Sequence, residues 1–259
     1  MYTNSLQCAE SSDIYLTRRE KKLQKRIKKT QHNVEARNQL TKVTLKRIVP
    51  ITHNQSRTFE SFANDRNILL HGSAGTGKTF LALYLALNSV IMGTSPKPIV
   101  ILRSVVPSRD MGFLPGKVEE KIVVYEAPYV GLCSELTGRA TAYEYFRKNH
   151  YIEFSTTSFL RGITFRDNII IIDEAQNCSG HELNTIMTRI GEGCRVIICA
   201  DFTQTDLTKS KDKLGFRKFM QIIKAMNSFD HIEFTHDDIV RSALVKDYII
   251  TKDRMNIDL

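Results

Sequence analysis

The chain has 259 residues, 42 % of them apolar, enough to bury one large core or two small ones, and no uninterrupted apolar run reaches the length of a membrane span. Its N-terminus, polar and mixed from Met1 to Thr17, lacks a secretory signal pattern, and its five cysteines form no CxxC pair, which argues against a disulfide framework or zinc site and for reduced thiols in the cytoplasm. The net charge of +9 is concentrated: Arg18 to Arg47 carries twelve Lys/Arg and two Glu, a net of +10 against the total of +9, which leaves −1 for the remainder and points to a local anionic partner.

Residues 1–16 show no periodicity and are expected to be mobile. Thr17 opens TRRE, a capping box with Glu20 at the third helical position. RREKKLQKRIKKTQHNVEARNQL follows with Leu23, Ile27 and Val34 on a thin apolar stripe. The segment 17–49 therefore reads as a basic helical extension ahead of a core at 50–259, with residues 41–66 looking like the connection into it. From Asn67 the pattern changes. NILLHG reads as a strand, KTFLALYLALNSVIMG as a long apolar helix ending at Gly93, and PIVILRS as a second strand. Residues 117–149 look helical with breaks; YIEFST and NIIIID are strands. Ser179 starts SGHE, a capping box with Glu182, and Leu183, Ile186, Met187 and Ile190 follow at helical spacing. RVIICAD and HIEFT are the last strands, each with a helical stretch after it. Strands alternating with helices predict an α/β fold with a mostly parallel sheet.

Gly72, Ser73, Ala74, Gly75, Thr76, Gly77, Lys78 and Thr79 spell GSAGTGKT, which fits G-x-x-x-x-G-K-[ST] between a predicted strand and a predicted helix. Such a loop wraps phosphate with backbone N–H groups at a helix N-terminus. Lys78 is expected to reach the β- and γ-phosphates and Thr79 to ligate Mg²⁺. Four isoleucines, Ile169 to Ile172, look like a strand buried on both faces, whose carboxyl end is where ligands of open α/β sheets bind. Asp173 and Glu174 sit at that end. With a phosphate loop on a neighbouring strand, Asp173 fits as the acid that holds Mg²⁺ through water, and Glu174 as the group that orients or deprotonates an attacking water. In ADFTQTD, Gln204 is a candidate to contact the γ-phosphate or that water. Gln55, seventeen residues before Gly72, is a candidate to pair with N6 and N7 of adenine. No NKxD follows, so ATP rather than a guanine nucleotide is expected.

The stretches HNQ, GSAGTGKT, GFLPGKVEEK, FLRGITFRDNIIIIDEAQN, ADFTQTDL and FTHDDIVRSALV cover roughly residues 50–250, and in this order they resemble the PhoH family, ATPases related to superfamily 1 helicases. In the family form ADFTQTDL begins with Gly-Asp, and here Ala200 replaces the Gly. The resemblance implies a RecA-like P-loop NTPase core, ATP hydrolysis with Mg²⁺, and a helicase-like or RNA-linked role. Compact versions occur in tailed phages, so the cytoplasm is that of a host if this chain is phage-encoded. Some relatives carry an N-terminal PIN nuclease, but the roughly fifty residues before this core are too few and too basic for one. Arg241 in DIVRS is the first choice to stabilise γ-phosphate charge, with Arg103 and Arg161 as alternatives. Superfamily 1 helicases place ATP between two RecA-like domains. This chain has one phosphate loop, so a homo-oligomeric ring, a hexamer by resemblance, is expected to complete the site, with RNA or single-stranded DNA bound through residues 18–47 and the ring interior and Arg241 acting in trans. The alternatives are a nucleotide-gated nucleic-acid-binding module without motor activity and an assembly protein whose basic helix meets a protein partner.

Overall fold

Six short runs of branched and aromatic residues pair into one sheet: β1 (Asn67–Gly72), β2 (Ile99–Arg103), β3 (Ile152–Thr156), β4 (Ile169–Asp173), β5 (Arg195–Ala200) and β6 (Phe229–Phe234). Their order is β3-β2-β4-β5-β1-β6, and every neighbouring pair is parallel. The computed structural model describes residues 40, 43–93, 95–104, 118–157, 160, 162–201 and 210–255. The chain divides into two units, Met1–Lys42 and Val43–Leu259, and the second carries the sheet.

The strands follow from composition. All five residues of β4 are buried, as expected of a parallel strand covered on both faces. β6 starts two residues earlier than HIEFT does, at buried Phe229. Asp230, bonded to Arg66 Nε at 3.0 Å, interrupts the apolar pattern there and hides the start of the strand.

α2 (Lys78–Met92) is buried continuously from Leu81 to Leu87 and packs against β4 and β5. A helix that is apolar all round is a core helix, and this one ends at Gly93 as predicted. The helical region after residue 117 resolves into α3 (Val118–Thr137), with Pro128 inside it, and α4 (Ala142–Lys148). α5 (Gly180–Met187) opens with the expected reciprocal bonds between Ser179 and Glu182. α6 (Ser210–Ala225) and α7 (Ala243–Met255) follow β5 and β6. Among the described residues, no helix is long and apolar enough to cross a membrane.

One helix was not legible. Residues 41–66 look like a connection, yet α1 (His53–Ala63) lies within them, capped by Thr52, whose Oγ1 accepts from Gln55 N at 3.3 Å. Its buried residues are Gln55, Thr58 and Phe62. Two of the three are polar, so no apolar stripe marks the helix. Residues 43–51 are not helical. Ile48 N donates to the Tyr84 hydroxyl at 3.2 Å and Lys46 N to Leu136 O at 2.8 Å. The expected mobile stretch 1–16 and, apart from residue 40, the first part of the expected basic helical extension 17–49, up to residue 42, lie outside the described residues; its last part, 43–49, is described and is not helical, because its backbone N–H groups bond to other elements instead.

The order of strands corrects one expectation. The strand beside β1 is β5, not β4, so the acids at the end of β4 reach the phosphate loop from one strand further away.

Candidate functional site

The site begins where β1 turns into α2. Gly72 has φ +118°, and a Cβ there would lie 2.0 Å from Phe234 O, so β6 closes against the root of the loop only because residue 72 has no side chain. Ser73 N donates to the same carbonyl at 3.0 Å. Thr76, fully buried, donates through Oγ1 to Ser73 O at 3.0 Å. Gly77 stands at the N-cap of α2 with φ +82°, and Ala74, Gly75, Gly77, Lys78 and Thr79 line a cleft of about 470 Å³. Lys78 Nζ bonds the carbonyls of Gly72 at 2.9 Å and Ser73 at 2.7 Å, which draws the ammonium over the loop. Burial lowers its pKa below the ordinary lysine value, while Asp201, Glu174 and Asp173 pull the other way.

β4 delivers the acids to the same cleft. Thr79 Oγ1 donates to Asp173 Oδ1 at 2.7 Å, joining residues 94 positions apart. Glu174 has φ +50°, a left-handed conformation unusual for a non-glycine residue and one that recurs at functional turns. Burial and then the charge of Asp173 raise the pKa of Glu174, against Arg103, Gln176 and Lys78. Gln176, almost fully buried, holds the turn. Its Nε2 donates to Glu174 Oε2, and its Oε1 accepts from Asp201 N at 2.9 Å. Asp201, at the end of β5, lines the cleft with them.

Two more side chains come from the other side. Tyr129 of α3 donates its hydroxyl to Asp173 Oδ2 at 2.6 Å. Arg103 ends β2 in register with Asp173 and stands over the Tyr125 ring at 5.9 Å. Burial opposes its charge, but Tyr129, Asp173 and Glu174 together hold its pKa above the ordinary value.

Arg241 lies in the cleft of its own chain. A Cβ on Gly75 would meet Arg241 Cγ at 3.2 Å, and Val240 N donates to Gly75 O at 3.3 Å. Arg241 thus stands at its own chain's phosphate loop, where the sequence reading has an arginine reaching the nucleotide from a neighbouring subunit. A bond between distant motifs sets its position. Asn54 of HNQ donates to Asp238 Oδ2 at 2.8 Å, and Asp238 also accepts from Thr235 N at 2.9 Å, fixing the turn that leads to Arg241. Gln55 and Arg241 therefore line an adjoining cleft of about 270 Å³, together with Ile48, Val49, Phe80 and Leu132. Gln55 Oε1 accepts from Ile51 N at 2.9 Å. Gln204 and Arg161 lie outside the described residues.

Tyr129, Gln176 and Asp201 did not stand out in the sequence. Gln176 and Asp201 sit inside stretches that did, DEAQN and ADFTQTD, but nothing in those strings says that their atoms meet. Tyr129 is one aromatic in an apolar helix, and no spacing marks its hydroxyl.

Among the described residues, no group of three or more His, Cys, Asp and Glu is arranged to hold a metal. The pair Thr79 and Asp173 nevertheless fits Mg²⁺, which takes one or two protein oxygens and completes its octahedron with water and substrate phosphates.

The family model described as PhoH-like protein matches residues 47–252. A PhoH-like protein of Bacillus subtilis (strain 168) is 34 % identical over 196 residues, covering 75 % of this chain and 61 % of that protein. Protein PhoH of Escherichia coli (strain K12) is 30 % identical over 179 residues, covering 68 % of this chain and 50 % of that one. The chain thus spans between half and three-fifths of the length of these relatives. Among solved structures, the Pif1 helicase from Candida albicans aligns at TM-score 0.35 and 16 % identity, over 73 % of this chain and 41 % of that one.

Proposed function

The chain belongs to the PhoH-like protein family, a nucleotide-binding, ATPase-type family, and from that premise we propose that it binds ATP with Mg²⁺, hydrolyses it, and couples hydrolysis to RNA or single-stranded DNA. The observation that carries the reading is the convergence of Lys78, the Thr79–Asp173 pair and Glu174 on one cleft.

In this reading the loop N–H groups and Lys78 hold the β- and γ-phosphates. Thr79 Oγ1 and Asp173 Oδ1 would hold Mg²⁺, which supplies charge neutralisation on the phosphate oxygens when bound. Glu174 takes a proton from, or orients, the attacking water. Its raised pKa makes it a better base than an ordinary carboxylate while Gln176 fixes its direction. Arg241, and Arg103 beyond Glu174, neutralise charge that develops on the γ-phosphate. Gln55 edges the adjoining cleft, where an adenine would lie. Its oxygen keeps a second lone pair for N6–H beside the bond from Ile51.

The nucleic-acid partner is supported by the +10 segment. A cytoplasmic setting is supported by the four free cysteines among the described residues, Cys133, Cys178, Cys194 and Cys199. A homo-oligomeric ring, hexameric by resemblance, remains part of the reading, with Arg241 serving its own chain's nucleotide. The second reading, a nucleotide-gated binding module, makes turnover incidental, and Glu174 favours the first.

The test measures ATP turnover of the full chain and of residues 43–259, with and without single-stranded RNA and DNA. Turnover stimulated by either strand, with the stimulation and the salt dependence of binding reduced in the shorter form, supports coupling through the basic segment. Salt-dependent binding with unstimulated turnover favours the binding module.

A further inference from the structure

Both oxygens of Asp173 take a hydroxyl. Thr79 Oγ1 donates to Oδ1 at 2.7 Å, and Tyr129 OH donates to Oδ2 at 2.6 Å. Tyr129 is 1 % exposed and Asp173 3 %. A carboxylate turns easily about its last bond, because that torsion is soft. With Oδ2 held by a buried phenol, Asp173 keeps Oδ1 on the Thr79 side. The phenol is itself packed in place: its ring lies against Phe154 of β3 with centroids 5.6 Å apart. A phenylalanine would fill the same volume without a polar atom to satisfy, so the hydroxyl answers to its polar partners rather than to packing: it donates to Asp173 and accepts from the Arg103 guanidinium, which leaves its proton for the carboxylate.

We propose that Tyr129 is a positioning residue that aims Asp173 Oδ1 toward the Thr79 hydroxyl, so that this pair accepts a divalent cation arriving with the nucleotide. The inference rests on the ATP-binding reading above. It adds a role for α3, whose Pro128 and Leu132 also line the cleft, making that helix the support of the metal-binding acid.

The test is binding of a fluorescent ATP analogue as Mg²⁺ is titrated, in the full-length wild type, Tyr129→Phe and Tyr143→Phe, with thermal denaturation of each. In Tyr129→Phe the half-saturating Mg²⁺ concentration should rise about tenfold, the low end for loss of a group behind a metal ligand. Binding of the analogue in EDTA should match wild type, and Tyr143→Phe, which removes another buried phenol that donates to a carboxylate, Glu126, away from the cleft, should titrate as wild type. An unchanged Mg²⁺ requirement in Tyr129→Phe, an equal shift in Tyr143→Phe, or weaker binding of Tyr129→Phe in EDTA, which would place the effect on Arg103, overturns the proposal. A wild type that binds no analogue at any Mg²⁺ concentration overturns the ATP reading itself, whereas a Mg²⁺-dependent wild type beside an unresponsive Tyr129→Phe overturns this inference alone. If Tyr129→Phe does not fold, the ¹³Cζ resonance of Tyr129 in the wild type decides. It should move when Mg²⁺ is added to the nucleotide complex, and a resonance that stays in place refutes the role.

Discussion

Gln176 accepts a hydrogen bond from the backbone N–H of Asp201 at 2.9 Å, and this ties the turn after β4 to the end of β5, the strand that separates it from the phosphate loop. The other end of the same amide donates to Glu174. One side chain thus holds the proposed base and an adjacent strand end at once. Gln176→Ala removes that acceptor from a buried N–H and should cost about 1–3 kcal/mol of stability. Gln176→Glu keeps an acceptor for Asp201 but sets a carboxylate against Glu174. Buried beside Glu174 and Asp173, that charge should make it no more stable than the alanine variant near neutral pH, and it should turn over ATP slowly. Chemical denaturation and steady-state hydrolysis of the two variants check this; equal turnover in Gln176→Glu and wild type would remove Gln176 from the account.

Gly72 and Gly131 predict opposite outcomes for one substitution. A Cβ at Gly72 meets Phe234 O at 2.0 Å in a backbone with φ +118°. Gly72→Ala should destabilise by more than about 2 kcal/mol, since strain and overlap add. Gly131 lies within α3 with nothing within 4 Å of its added Cβ, so Gly131→Ala should stabilise by about 0.5–1 kcal/mol. Urea midpoints of both variants measure the difference.

Much of the fold could be read because its strands are apolar runs and its turns carry motif residues. Ile169 to Ile172 announce a buried strand, and the loop from Gly72 to Thr79 announces the turn it makes. What the sequence concealed is held by polar contacts between distant segments. The helix around Gln55 and Thr58 buries amide and hydroxyl groups, which no hydrophobic period registers. The Asn54–Asp238 bond spans 184 positions, and the insertion of β5 between β1 and β4 is a matter of topology that neither strand's own residues express. Arg241 was legible as a candidate from its motif. That it lies over Gly75 of its own chain was not, since one sequence does not distinguish a group acting within a subunit from one acting across an interface.

That placement makes a prediction about mixtures. Arg241 and Glu174 line one cleft in one chain. Combining Glu174→Gln chains with Arg241→Ala chains should therefore give the weighted mean of the two low rates. If Arg241 acted across an interface, mixed assemblies would contain intact composite sites and the rate would rise well above that mean. An arginine in this role is worth orders of magnitude, so the two outcomes are far apart.

The raised pKa of Glu174 gives a pH dependence with a definite sign. Burial and the charge of Asp173 make the folded protein hold this proton more tightly than the unfolded chain does. As a base the group works deprotonated, so turnover should fall on acidification at a higher pH than an ordinary glutamate would dictate. The acid limb should be missing from the residual rate of Glu174→Gln. For stability, the contribution is fully present below the unfolded pKa and lost as pH rises through the folded one. The Tm advantage of Glu174→Gln over wild type should accordingly grow from mildly acidic to neutral pH. An advantage that shrinks over that range would mean that Glu174 is stabilised as the anion.

The central claim, that Glu174 acts on water while Lys78 holds the nucleotide, is tested most directly by measuring ATP affinity and steady-state hydrolysis together in Lys78→Ala and Glu174→Gln. The account predicts that Lys78→Ala loses nucleotide binding, and that Glu174→Gln binds ATP as tightly as wild type while its turnover falls about a hundredfold or more. Turnover near the wild-type rate in Glu174→Gln would contradict it.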